Sequence, residues 1–126
     1  MVGADLSGAN LTGANLTGAN LTDANLVFAR LKDTNLFAAD LSGADLTNAV
    51  LASAVLYGAS LRYTNLTGAN LFAADLRGAN LFAADLTDAD LRDADLNFAN
   101  LFDVIWSFTT CPDGSAAFRN GGYCSR

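Results

Sequence analysis

Histidine and glutamate are absent from this chain, and proline, methionine and tryptophan occur once each. Without His or Glu, the commonest general acids, bases and metal ligands are missing. No Gly-rich phosphate loop is present, and the regularly spaced Asp residues lack a nucleophile or a paired acid and base of unequal environment. The chain therefore does not read as an enzyme, and no cofactor is expected. Long apolar runs are missing too: the longest are four residues, as in Leu26 to Ala29. A spanning helix needs about 20 apolar residues, so a hydrophobic content of 52% signals no membrane span. Positive charge is scarce, with seven Lys and Arg against 13 acidic residues, all Asp, for a net charge of −6. That balance excludes direct binding to a phosphate backbone, which needs a basic patch. Met1-Val2-Gly3 runs straight into the first repeat without a basic region or an apolar core of a secretory signal.

What the chain has in abundance is a leucine at every fifth position. The series starts at Leu6 and ends at Leu101, giving 20 leucines without a miss. Two residues before each Leu stands Ala in 18 cases, with Thr34 and Thr64 as substitutes, and directly before it stands Asn or Asp in 16. The exceptions are Arg30, Val50, Val55 and Ser60. Twenty units in one register make this a repeat array, residues 1–103, followed by a C-terminal segment, residues 104–126.

A period of five fits neither regular element. Five helical residues turn by about 500°, which would scatter the leucines around the helix surface. Five strand residues would flip each Leu to the opposite face. Within one unit, however, Ala and Leu lie two apart and share a face if the segment is extended. The pattern that remains is a short Ala-Asn/Asp-Leu segment, then a two-residue corner, with the same side always inward. The corners agree: the second residue after Leu is Gly at seven positions, from Gly8 to Gly78, and Asp at five others. Gly tolerates positive φ, and Asp bonds nearby backbone. No proline interrupts the array, as expected if backbone N–H groups pair with the coils above and below. Units that cannot bury their own apolar face must stack into a solenoid.

Ala9-Asn10-Leu11-Thr12-Gly13, Ala14-Asn15-Leu16-Thr17-Gly18 and Ala69-Asn70-Leu71-Phe72-Ala73 resemble the A(D/N)LXX signature of pentapeptide-repeat proteins. The resemblance implies an all-β solenoid, a right-handed quadrilateral β-helix with four repeats per coil and about five coils. It also implies that each Leu, and the Ala two before it, points inward. The core ladders then include Leu6, Leu26, Leu46, Leu66 and Leu86. Thr34 and Thr64, at inward Ala positions, are expected to bury a methyl and bond a backbone carbonyl.

With four repeats per coil, residues 20 apart stack in columns on the outside. Phe37, Tyr57 and Arg77 share one column, Arg62, Phe82 and Phe102 another, and Lys32, Ala52, Phe72 and Arg92 a third. Exposed aromatics beside arginines have the composition of binding surfaces. Val50, Val55 and Ser60 replace Asn or Asp in three successive repeats, which places two valines outward on adjacent faces of the third coil. Val50, Val55, Tyr57, Arg62, Tyr63, Phe37 and Arg77 are accordingly the candidate interaction patch.

The periodicity ends after Leu101, and Val104-Ile105-Trp106-Ser107-Phe108 begins a tail suited to covering the last coil. Ser115 to Asn120 reads as one helical turn ended by Gly121. Cys111 and Cys124, with no His, cannot complete a usual tetrahedral zinc site, and they lie 13 apart rather than in a Cys-x-x-Cys redox pair. Thr109-Thr110-Cys111-Pro112-Asp113-Gly114, with a later Gly-Gly-x-Cys, is similar to the tail of cyanobacterial pentapeptide-repeat proteins. That similarity implies a disulfide-closed cap joining Cys111 and Cys124, and an oxidising compartment, periplasm or thylakoid lumen, with the export signal outside this chain. Without the disulfide the cytoplasm is expected. No capping segment precedes Ala4, so end-to-end association of copies through the N-terminal coil is one way to cover it.

The leading functional expectation is a rigid non-catalytic scaffold for an unidentified protein partner. The resemblance also implies an alternative, an acidic rod that mimics DNA and binds a type II topoisomerase, through the stretch containing Asp75, Asp85, Asp88, Asp90, Asp93, Asp95 and Asp103. A purely structural or stress-related protein is the third expectation.

Overall fold

The computed structural model describes residues 1–117 and 122–124. Parallel bridges pair each residue that precedes a Leu with the residue 20 further on, from Asp5 with Asn25 to Asp90 with Thr110. The bridges fall into four columns, so the cross-section of this β-solenoid has four sides. The first side carries Asp5, Asn25, Asp45, Asn65, Asp85 and Ile105; the second carries Asn10, Arg30, Val50, Asn70, Asp90 and Thr110. The third carries Asn15, Asn35, Val55, Asp75 and Asp95, and the fourth Asn20, Asp40, Ser60, Asn80 and Asn100.

One repeat shows how the backbone is satisfied. Leu51 N–H donates to the Asn70 carbonyl at 2.7 Å, Asn70 N–H to the Ala49 carbonyl at 2.9 Å, and Ser53 N–H to the Phe72 carbonyl at 2.8 Å. Ala54 N–H donates to the Leu51 carbonyl at 3.0 Å and closes the corner. Four of the five N–H groups of a repeat thus find backbone acceptors, and the residue after Leu is left over. Its acceptor is a side chain. All 16 Asn and Asp residues that precede a Leu accept the N–H two residues on through Oδ1, at 2.9–3.2 Å. Each such bond contributes about 0.5–1.5 kcal/mol. This accounting explains the repeated Asn/Asp, and with it most of the acidity, as backbone chemistry.

Every corner has the same shape whatever residue occupies it. The second residue after Leu has positive φ throughout the array, including 13 residues that are not glycine, among them Phe28, Tyr63 and Phe98, and Phe108 after Trp106 follows suit. A left-handed conformation costs a side-chain-bearing residue about 1–2 kcal/mol, so the coil-to-coil bonds override local preference there. At Gly43 and Gly68 a second constraint operates. A Cβ at Gly43 would overlap the Asp23 carboxylate one coil below, and one at Gly68 the Asn48 amide oxygen.

The leucines from Leu21 to Leu96 are fully or almost fully buried, and Leu6, Leu11, Leu16 and Leu101 only partly. Thr34 and Thr64 are buried, and their hydroxyls donate to the Leu11 and Leu41 carbonyls at 2.7 and 2.9 Å. The coil runs on past the end of the leucine series. Ile105 and Thr110 still bridge to Asp85 and Asp90, Trp106 and Cys111 fill Leu slots, and Thr109 fills an Ala slot with its hydroxyl on the Leu86 carbonyl at 2.7 Å. Residue 103 therefore ends the sequence pattern but not the backbone pattern, because the bridges use main-chain atoms and the inward slots accept other buried side chains.

The chain reverses after Cys111. Gly114 N–H donates to the Cys111 carbonyl, Cys111 N–H to Ser115, and Ala117 N–H to Thr109, while Ala116 pairs antiparallel with Thr110. Residues 115–117 are thus extended rather than the start of a helical turn, their N–H and C=O groups being taken by the last coil. The remainder of the expected turn, 118–121, lies outside the described residues. Cys111 and Cys124 form a disulfide, and both are buried. Among the described residues no helix is long and apolar enough to cross a membrane.

Candidate interaction surfaces

The residue after each Leu projects beside the residue before it, so the four corners carry outward side chains that stack from coil to coil. Phe37 and Tyr57 lie parallel with ring centroids 5.7 Å apart, and the Arg77 guanidinium covers the other face of Tyr57 at 5.5 Å. Arg77 is held by its own repeat: its Nε and Nη2 donate to the two Asp75 carboxylate oxygens at 2.8 and 2.7 Å. A second ladder rises one corner further on. Arg62 lies over Tyr63 and Phe82 at 5.6 and 5.7 Å, Tyr63 meets Phe82 edge-on, and Phe82 stacks on Phe102 at 5.9 Å. A shorter third one places Arg92 over Phe72, with Arg92 bound through both nitrogens to Asp90.

These contacts gather the sequence-derived patch into separate surfaces. Phe37, Tyr57 and Arg77 stand beside Val55 on the third side. Arg62 and Tyr63 belong to the fourth, with Phe82 and Phe102, which the column arithmetic places there although the patch omitted them. Val50 lies on the second side, half-buried, whereas Val55 is 36% exposed. Successive repeats occupy successive sides, so the two valines do not share a face. Phe28 and Phe98, strongly exposed at positive-φ corners, escaped the sequence reading because that column was assigned to Gly and Asp alone.

The electrostatics follow the same local rule. Hydrogen bonds from Arg77 and Arg92 hold Asp75 and Asp90 below the ordinary carboxylate range, outweighing a small opposing effect of burial. Asp40 is lowered by its bond from the Ser42 side chain. Folded-state values below the unfolded ones give stability that is present above about pH 4 and lost as pH falls further. With no His and no Glu, no side chain of this composition ordinarily titrates between about pH 5 and 7. The thermal midpoint is therefore expected to be level across that interval and to drop below about pH 4; a midpoint that moves between pH 5 and 7 would contradict this.

The repeat geometry and its sequence converge on one known family. A model of pentapeptide repeats matches residues 1–36, 34–72 and 69–105, in eight copies. The chain belongs to the pentapeptide repeat family. Among solved structures it is similar to the pentapeptide repeat protein Rfr23 of the cyanobacterium Cyanothece 51142, at 32% identity and a TM-score of 0.82, over 86% of this chain and 85% of that one. It is also similar to a pentapeptide repeat protein of the Arabidopsis thaliana thylakoid lumen, at 36% identity and a TM-score of 0.74, over 75% and 66% of the two chains. A third similar structure is a pentapeptide repeat protein of Nostoc PCC 7120, at 35% identity and a TM-score of 0.62, over 82% and 80%. No curated protein sequence matches the chain.

Proposed function

We propose that this pentapeptide repeat protein is a non-catalytic rigid scaffold, a right-handed rod of about five coils, that binds a protein partner through the ladders of its third and fourth sides. The observation that carries this reading is a coincidence of two departures. Val55 and Ser60 give up the side-chain acceptor that the backbone rule supplies elsewhere, and two residues after each stand Tyr57 and Arg62, members of the exposed ladders. Ser60 exchanges that acceptor for a hydroxyl bond to Ser42 at 2.8 Å, but at Val55 the local rule is broken with no replacement bond, which points to selection for a surface. Aromatic rings held by neighbouring rings and guanidinium groups are already ordered, so a partner loses little entropy in using them.

The buried disulfide and the thylakoid-lumen origin of one similar structure support an oxidising compartment, periplasm or lumen, as the site of action. The acidity does not favour the DNA-mimic alternative. Asp75 and Asp90 are covered by Arg77 and Arg92, and the Asp residues that precede Leu turn an oxygen toward their own backbone.

The test is capture of partners on immobilised chain from the native cell extract. The Val55→Asp/Tyr57→Ser/Tyr63→Ser variant is expected to lose its main partner by about tenfold or more. A Phe28→Ser variant, altered on another side, is expected to retain it. Retention of every partner by the triple variant would overturn the proposal.

A further inference from the structure

The backbone rule fails at two successive levels of the second side. Asn10 and Asn70 take the N–H groups of Thr12 and Phe72 at 3.2 and 3.0 Å, but between them Arg30 and Val50 have no oxygen to offer. The N–H groups of Lys32 and Ala52 therefore have no acceptor among the described residues. Because the oxygen that ordinarily reaches such a group belongs to an outward side chain, both N–H groups face the outside. They lie in one column, one coil or about 4.8 Å apart. Beside the first stand the exposed side chains of Arg30 and Lys32, and among the described residues neither has an ion pair, hydrogen bond or ring contact. Every other described side-chain cation is engaged: Arg77 and Arg92 with carboxylates, Arg62 with rings. Further along the same side come Val50 and then Phe72, which is 40% exposed and held by Arg92 over its ring.

We infer that the second side binds a segment of a partner protein whose carboxylate takes the place of the missing Asn or Asp oxygen. That carboxylate accepts the Lys32 N–H and pairs with the Arg30 guanidinium and the Lys32 ammonium, and such charge-assisted bonds are stronger than neutral ones. The Ala52 N–H donates to a main-chain carbonyl of the same segment, and an apolar side chain at the level of Phe72 completes the contact. Helices and sheets spend their carbonyls internally. Polyproline II leaves them free and sets residues three apart on one face at about 9.3 Å. Two coil steps, from Arg30 to the Phe72 level, span about 9.6 Å, so an acidic-x-x-apolar segment in that conformation fits. The charges set its direction. Arg30, Lys32 and Asp33 together carry +1 on a chain of net charge −6. The far end of the side carries Asp90 and Asp93, with Asp113 beyond them, and Arg92 is already spent on Asp90. A carboxylate is therefore drawn to the Arg30 end and repelled from the other. One pair of free cations on an acidic rod suits a single carboxylate, not a phosphate backbone. The inference is independent of the partner proposed above, which uses the third and fourth sides.

Titration of the nitrogen-15-labelled full chain with the blocked peptide acetyl-Glu-Pro-Pro-Leu-amide, followed by amide proton shifts, tests it. The Lys32 and Ala52 amide protons are expected to move downfield together and to saturate with a Kd of about 1 mM. Binding is expected to weaken about threefold or more as NaCl rises from about 0.05 to 0.5 M. The same peptide with Gln in place of Glu is expected to bind about tenfold more weakly. Arg30→Asn removes the cation and restores the internal acceptor found in 16 other repeats. This variant therefore keeps its fold, and it is expected to weaken the peptide about tenfold as well. Asp33→Asn, which removes the anion beside the cation pair, is expected to tighten binding about threefold. No saturable shift of Lys32 up to about 10 mM peptide would overturn the inference. So would equal binding of the Gln peptide, an Arg30→Asn variant that binds as well as the wild type, or a short oligothymidylate that binds the same amides more tightly than the peptide.

Discussion

Leu51→Asp unfolds the protein at room temperature, whereas Leu6→Asp leaves it folded. Leu51 is fully buried in the middle of the stack, with inward leucines of other coils above and below it. Replacing it removes about 2–5 kcal/mol of packing and places in the same space a carboxylate with no partner, which costs several kcal/mol more. The sum matches the whole stability of an ordinary domain, about 5–15 kcal/mol. In a solenoid each coil is supported only by its neighbours, so a broken middle coil also leaves two short stacks in place of one. Leu6 is only partly buried at the first coil, where a carboxylate reaches water. Urea titrations followed by circular dichroism distinguish the two. A cooperative transition for Leu51→Asp near the wild-type midpoint would contradict the stacking argument.

Removing the disulfide with Cys111→Ser/Cys124→Ser lowers stability by about 3 kcal/mol, the entropy of a 13-residue loop released in the unfolded chain. For a chain of this size that corresponds to a fall of roughly 10 °C in the melting midpoint. The loss is expected to be local before it is global. Cys111 fills an inward slot and Cys124 is buried, so the variant loosens the reversal that pairs Thr110 with Ala116. Hydrogen exchange is expected to accelerate at Cys111, Gly114 and Ala117 while the N–H groups of Leu26 to Leu76 stay protected. Equal melting midpoints for wild type and variant would show that the disulfide does not stabilise the fold.

Most of the architecture was legible in the leucine spacing, because a period of five leaves a stacked coil as the only way to keep one side inward. The outward columns followed from the four repeats per coil that the family resemblance implied, and Phe37, Tyr57 and Arg77 are stacked as that arithmetic requires. Two features were not legible. The role of Asn and Asp before Leu emerges only when the N–H groups of a complete coil are counted and one is found without a backbone acceptor. The extension through Trp106, Thr109 and Cys111 was hidden because the side chains change while the main-chain bridges do not. The placement of the candidate patch was legible: Val50 and Val55 lie on adjacent sides as the repeat order requires, and of its residues only Val50 is half-buried, the others being exposed.

The four-sided stacking also governs what insertions and deletions do to this protein. Losing one pentapeptide, for example residues 65–69, keeps every later Leu inward yet rotates all that follows by one side. Phe82 would then stand above Tyr57, and Arg77 would leave the third side for the second. Only a change of 20 residues lengthens or shortens the rod without rewiring its outside. The core is therefore indifferent to repeat number in steps of five, while the surface counts in steps of four repeats.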